Sequence, residues 1–224
     1  MLVFVIFLMI FVGVTFALYQ VYETHFNINF GNEKKLSSTD FSHLNELSDS
    51  AQTATLTSEW SGFDQAVTNI LGPGFSRDIV REAFATEKES TYAIPLVRRK
   101  NRLALGSDRG DVSSGHVSVR HLPCLKTNLP KVDARGLLIT LIIFNCFLVQ
   151  LLGAMSIYTL GYAVSMPLLV WLNEPLIVML VIYALIFMTY VIAKLDMYMH
   201  DLYQLGKLFS QKYNHENSLR GQYT

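Results

Sequence analysis

Two long stretches of this chain carry almost no charge, and no other feature limits its fold as strongly. Residues 1–22 contain no charged side chain, and residues 136–193 contain one, Glu174. A soluble domain has no way to bury apolar runs of that length, and its usual share of charged residues is roughly 25%. Here the share is 16%. The expected fold class is therefore mainly α and integral to a membrane. Three transmembrane helices are expected, one N-terminal and a C-terminal pair, with a small, loop-rich inside domain between them. The 18 Lys and Arg balance the 18 Asp and Glu, so net charge calls for neither a polyanionic nor a polycationic partner.

Length arithmetic sets the spans. A helix rises about 1.5 Å per residue, so about 20 apolar residues cross a hydrocarbon core of about 30 Å. Residues 1–22 meet that requirement, and Tyr19 and Tyr22 sit where interfacial aromatics belong. The competing reading is a signal peptide ending near Ala17. It lacks an n-region Lys or Arg, and its apolar stretch is longer than a usual h-region, so a retained helix is expected. Between Arg135 and Glu174 lie 38 uncharged residues, too many for one crossing and too few for two plus a turn. The expected solution is one span over 136–163 and an apolar outside bend over 164–174, with a re-entrant dip as the variant of that bend. Pro167 removes an amide hydrogen there, and Asn173-Glu174-Pro175 reads as a helix start. The third span covers 175–194.

Three crossings put 23–135 and the tail 195–224 on one face, with Met1 and the bend on the other. All 18 basic residues fall on the first face. The positive-inside tendency then orients the chain with its N-terminus outside and C-terminus inside; the organelle or virion is left open. No Asn-X-Ser/Thr sequon occurs, which agrees with that orientation.

Within 23–135, two helices are predicted. One follows Ser61 with Phe63, Val67, Ile70 and Leu71 at helical spacing and stops at Gly72-Pro73-Gly74. The other follows Ser76 with Ile79, Val80, Ala83 and Phe84 on one face. Residues 31–58, rich in Ser, Thr, Asn and Asp, read as loop. Val117 and Val119 alternate with Ser118 and Arg120 as a short strand would. After the third span, Leu195, Tyr198, Met199, Leu202, Leu205, Leu208 and Phe209 form a stripe. It predicts an inside amphipathic helix that needs lipid headgroups or another subunit to cover it.

Few residues carry candidate chemistry. Cys146, Gln150, Gly153, Ala154 and Gly161 are expected to pack the second span on another helix, because small residues allow close approach and amides bond across it. Asn145 adds a second amide. Arg98, Arg99, Lys100 and Arg102 form a basic cluster expected to meet anionic lipid. No aromatic stands beside it for base stacking, so nucleic acid is not an expected partner. Glu174 is either a carboxylate at a helix start or part of an ion route. His116, His121 and Cys124 have zinc-like donor types but too few of them. Asp196 and His200 are one helical turn apart, beside Asp201, and read as the polar flank of a helix. Arg109-Gly110-Asp111 falls inside and carries no adhesion role. The two cysteines, Cys124 and Cys146, are not expected to pair.

No phosphate loop, nucleophile elbow or histidine box occurs, so no catalytic, cofactor or metal residue is assigned. The order of spans is similar to that of proton-driven motor stators and of membrane insertases. The glycine-threonine pattern of the one and the charged coiled coil of the other are missing, so neither family is implied. The expected function is a non-catalytic multi-pass membrane protein, a structural or assembly subunit of a larger complex such as an organellar respiratory-type assembly or a viral envelope. Its expected partners are other membrane subunits, as a hetero- or homo-oligomer, and the bilayer. A channel or carrier component, using Glu174, Gln150 and Asn145, is the alternative. A lipid-interface enzyme using Asp196, His200 and Asp201 is the further one.

Overall fold

The computed structural model describes residues 2–30, 36–85, 89–105, 117–122 and 125–220 of the chain. It is mostly helical. The elements in order are α1 (Leu2–Phe30), α2 (Ser38–Thr57), α3 (Ser61–Ile70), α4 (Arg77–Ala85), α5 (Glu89–Arg99), β1 (Leu103–Leu105), β2 (Val117–Leu122), β3 (Leu125–Asn128), α6 (Arg135–Tyr158) and α7 (Pro175–Arg220). Short 3-10 segments occupy Lys100–Arg102 and Pro167–Asn173. Two compact units result: Met1–Phe30 with Ala134–Tyr198, and Gly31–Asp133 with Met199–Thr224.

Among the described residues, three helices are long and apolar enough to cross a membrane, over Leu2–Phe26, Arg135–Tyr158 and Pro175–Ser210, the last running beyond the first unit. Each has one buried stripe at helical spacing. On α1 it is Ile10, Gly13, Ala17 and Gln20; on α6, Ile142, Cys146, Val149 and Gly153; on α7, Val178, Ile182, Ile186 and Thr189. The rest of each helix turns large apolar side chains outward, Phe187 at 67% exposure among them. Backbone hydrogen bonds inside a helix satisfy themselves, so such an exterior is compatible with lipid.

The helix of the first span runs on past residue 22 to Phe30. The second span ends at Tyr158 rather than 163, because Leu160 and Gly161 bond back three residues and tighten the end. The third continues unbroken to Arg220. The bend between them is anchored by Leu172, which is buried in the helix core, and α7 begins at Pro175, where the missing amide hydrogen costs nothing.

The described part of the second unit is mostly helix and strand. Residues 38–57, read as loop from their hydroxyls and amides, form α2. Ser37 caps it, its Oγ accepting from Asp40 N at 3.1 Å. The hydroxyls of Thr53, Thr55 and Thr57 donate to carbonyls four residues back at 2.8–2.9 Å, so they leave the helix intact instead of competing with it. Leu47, Ala51 and Ala54 supply its buried face. The helices α3 and α4 form where predicted and bury Phe63, Val67, Val80 and Ala83; Gly72, at φ +100°, stops α3 in a conformation that favours glycine. The helix α5, with Pro95 inside it, is central: Tyr92, Ala93, Ile94, Leu96 and Val97 are all buried. Strands β1, β2 and β3 pair antiparallel in that order, and β2 contains the 117–120 alternation.

The stripe after the third span is covered by its own chain. Leu205 and Leu208 are fully buried in one cluster with Leu47, Val67, Val80 and Leu96, so this part of α7 is a core helix of the second unit.

Candidate functional site

The residues singled out for chemistry fall into separate places. In the first unit, Cys146 and Gly153 face the helix contact, and Gln150 Nε2 donates to Val14 O at 3.4 Å. A Cβ on Gly153 would lie 2.6 Å from Val14 Cγ2, so α1 and α6 meet at a distance that only glycine allows. Ala154 and Gly161 are exposed and take no part; the first lies one residue off the inward face, and the second lies beyond the helix end. Asn145 Nδ2 donates to Thr189 Oγ1 at 3.4 Å, linking α6 to α7.

Two packing residues carried no signal in the sequence. Gly13 lies against Ile182, where an added Cβ would meet Cγ2 at 3.0 Å. Gln20 Nε2 donates to Ile186 O at 3.3 Å. Gly13 stands in an unbroken apolar run, so only its 3–4 spacing to Ile10 and Ala17 could have marked it. Gln20 reads equally well as the polar end of a span. Among the described residues, Gln20 Oε1 and Ser156 Oγ are buried without a hydrogen-bond partner.

At the end of this unit that holds the start of α6, Arg135 Nε lies 3.7 Å from a carboxylate oxygen of the buried Asp196. An arginine in a first helical turn opposes the helix dipole, and the carboxylate offsets it. Glu174 stands exposed at the start of α7, where its carbonyl accepts from the amides of Ile177 and Val178. That position matches a carboxylate at a helix N-terminus rather than an interior relay with Asn145 and Gln150.

In the second unit, three of the four cations of the basic cluster stand beside carboxylates of the same unit. Arg98 Nη1 reaches both oxygens of Asp201 at 3.1 and 3.3 Å, and Arg99 Nε reaches Oδ2 at 2.9 Å. The three side chains are 8%, 13% and 5% exposed in the order Arg98, Arg99, Asp201. Lys100 Nζ donates to His43 Nδ1 at 2.7 Å, which requires that nitrogen to be unprotonated, and lies 3.5 Å from Asp40. Arg102 is exposed. The partners stand 57–103 residues away in sequence, so a local charge count overstates what these cations offer to lipid.

His200 lies 3.8 Å from Asp133 and 3.3 Å from Gln204 Nε2. Among the described residues no three His, Cys, Asp or Glu side chains gather as metal ligands. His116, Cys124 and Arg109-Gly110-Asp111 lie outside the described residues, and His121 is placed by its backbone in β2 alone. Compared with protein-family models, curated proteins and solved structures, the chain matches none.

Proposed function

We propose that this chain is a three-span integral membrane protein, N-terminus outside and C-terminus inside, that acts as a non-catalytic structural or assembly subunit of a larger membrane complex. The observation that carries this reading is how its ionisable groups are used. Asp201 is held between Arg98 and Arg99, Asp196 lies 3.7 Å from Arg135, and His200 lies 3.8 Å from Asp133. That arrangement favours fixing helices in place over moving protons or holding a substrate. The broad apolar exterior of the first unit is then its main surface for neighbours, lipid or protein.

The test uses the full chain in its native membrane, with a photo-crosslinking residue at Phe147 or Phe187, both exposed mid-helix. A reproducible adduct to one defined membrane protein at one of these sites is expected. Lipid adducts alone, together with a monodisperse and functional monomer in mild detergent, would overturn the assembly role. A channel or carrier component is the second reading, supported by the buried Gln20 Oε1 and Ser156 Oγ. Unchanged ion flux in liposomes after both Gln20→Leu and Glu174→Gln would remove it.

A further inference from the structure

The connection from α6 to α7 is built in a way that an aqueous loop has no need of. From Ile157 to Asn173 it has no charged residue. It exposes Tyr158, Leu160, Tyr162, Met166 and Leu168, the last at 87%. An ordinary surface loop leaves its peptide groups to water. This one bonds several of them internally: Leu160 N to Ile157 O, Gly161 N and Tyr162 N to Tyr158 O, Leu169 N to Met166 O, and Glu174 N to Trp171 O, all at 2.9–3.2 Å. Pro167 has no amide hydrogen to satisfy.

One side chain adds two more bonds. Val164 sits midway, where no turn bond reaches it. Its N–H donates to Asn173 Oδ1 at 2.8 Å, and its carbonyl accepts from Asn173 Nδ2 at 2.9 Å. A carboxamide carries a donor and an acceptor side by side, as a peptide does, so Asn173 closes both groups of Val164 at once. Leu172 beside it is buried in the helix core and fixes where that amide stands. Irregular backbone at membrane depth is tolerated only when its polar groups are satisfied without water, and tyrosines favour the interface.

We propose that residues 159–174 form a lipid-inserted wedge. The loop lies in the interfacial layer of the leaflet at that end of the spans, with Leu168 toward the acyl chains and Asn173 as the residue that closes the backbone at Val164. The occupant of this surface is lipid rather than a second protein, because its apolar exposure runs without a break into the exposed flank of α6 at Ile157, while Glu174 separates it from Leu176 on α7. This inference rests on the three-span reading above.

The experiment labels single cysteines with an environment-sensitive fluorophore in the full chain, in a Cys124→Ser, Cys146→Ala background, reconstituted in phosphatidylcholine vesicles. Leu168→Cys reports the wedge, Phe147→Cys the mid-span and Leu56→Cys an exposed site in the second unit. The label at 168 should emit blue-shifted and lose most of its emission to a lipid with its nitroxide near the headgroup. The label at 147 should respond more to a deeper nitroxide, and the label at 56 to neither. A water-like emission at 168, or a blue shift that no nitroxide lipid quenches (a protein-covered site), overturns the wedge while quenching at 147 leaves the three-span reading standing. No quenching at 147 sinks that reading itself. Asn173→Ala should sharply reduce quenching at 168 and leave 147 unchanged. Unaltered quenching at 168, or an equal change at 147, would overturn the clamp.

Discussion

The two units use the same residue types in opposite senses. In the first, leucines and phenylalanines point outward while Gln20, Asn145, Ser156 and Thr189 point inward. In the second, the apolar side chains are gathered inside, and the buried charges are held in ion pairs. The helix α7 carries both conventions: Leu180 is largely exposed, whereas Leu205 and Leu208 are fully buried. The lesson concerns solvent. A leucine needs no partner where lipid surrounds it and must find one where water does, so the exposed leucines of the first part of α7 are compatible with lipid and the buried ones of its later part with water. The chain has two tryptophans, Trp171 in the first unit and Trp60 in the second. Each unit can therefore be followed separately, which makes the comparison open to direct tests.

The largest effect is expected from Asp201→Ala. It leaves two largely buried guanidiniums without their carboxylate, and breaking a buried pair from one side costs about 3–5 kcal/mol. In a Trp171→Phe background, Trp60 fluorescence during denaturant titration in mild detergent should report a destabilised second unit. The matching Trp60→Phe protein should show the Trp171 transition nearly unmoved. Equal displacement of both transitions would mean that the units do not unfold separately.

Next comes the contact between α1 and α6. Gly153→Leu drives a side chain into Val14 Cγ2, already 2.6 Å from a bare Cβ, and overpacking of that kind costs about 1–3 kcal/mol. The shift should now appear in Trp171. Gly153→Ala combined with Val14→Ala should recover most of it, because the alanine takes up space that the valine vacates.

What the sequence could reveal follows the same division. Spans, bend and the start of α7 were legible because hydropathy and Pro175 act locally, with no partner required. The helices α3 and α4 were legible because apolar faces at helical spacing coincide with stop and start residues. Three things were hidden. The helix α2 looks like loop unless its hydroxyls are known to bond back onto their own helix. Pro95 disguises α5, whose burial depends on elements that surround it. The basic cluster reads as a free patch because Asp201 and His43 are distant in sequence. In the helix-packing set, Cys146, Gln150 and Gly153 share an inward face, while Ala154 and Gly161 matched by residue type but not by direction.

A smaller effect should follow Ser37→Ala. It removes the oxygen that accepts from Asp40 N, and loss of such a cap costs about 1 kcal/mol. Trp60 should register the change, and hydrogen exchange should rise first in the amides of the opening turn of α2. No change in exchange there would mean that the hydroxyls along α2, rather than its cap, hold that end.

The smallest effect is the one that separates the two kinds of interior most finely. In a water-facing protein, removing one partner of a buried amide bond strands the other at a cost of about 1–3 kcal/mol. Between helices in lipid, cross-helix hydrogen bonds average only about 0.6 kcal/mol, because the separated helices also find partners. Asn145→Leu cuts the 3.4 Å bond to Thr189, but Thr189 Oγ1 keeps its bond to Leu185 O at 3.0 Å. Little is stranded, so the Trp171 transition should move by about 0.6 kcal/mol. A loss several times larger would show that Asn145 holds a buried polar network of the kind found in a soluble core, and the contrast drawn between the two units would then fail at its most polar point.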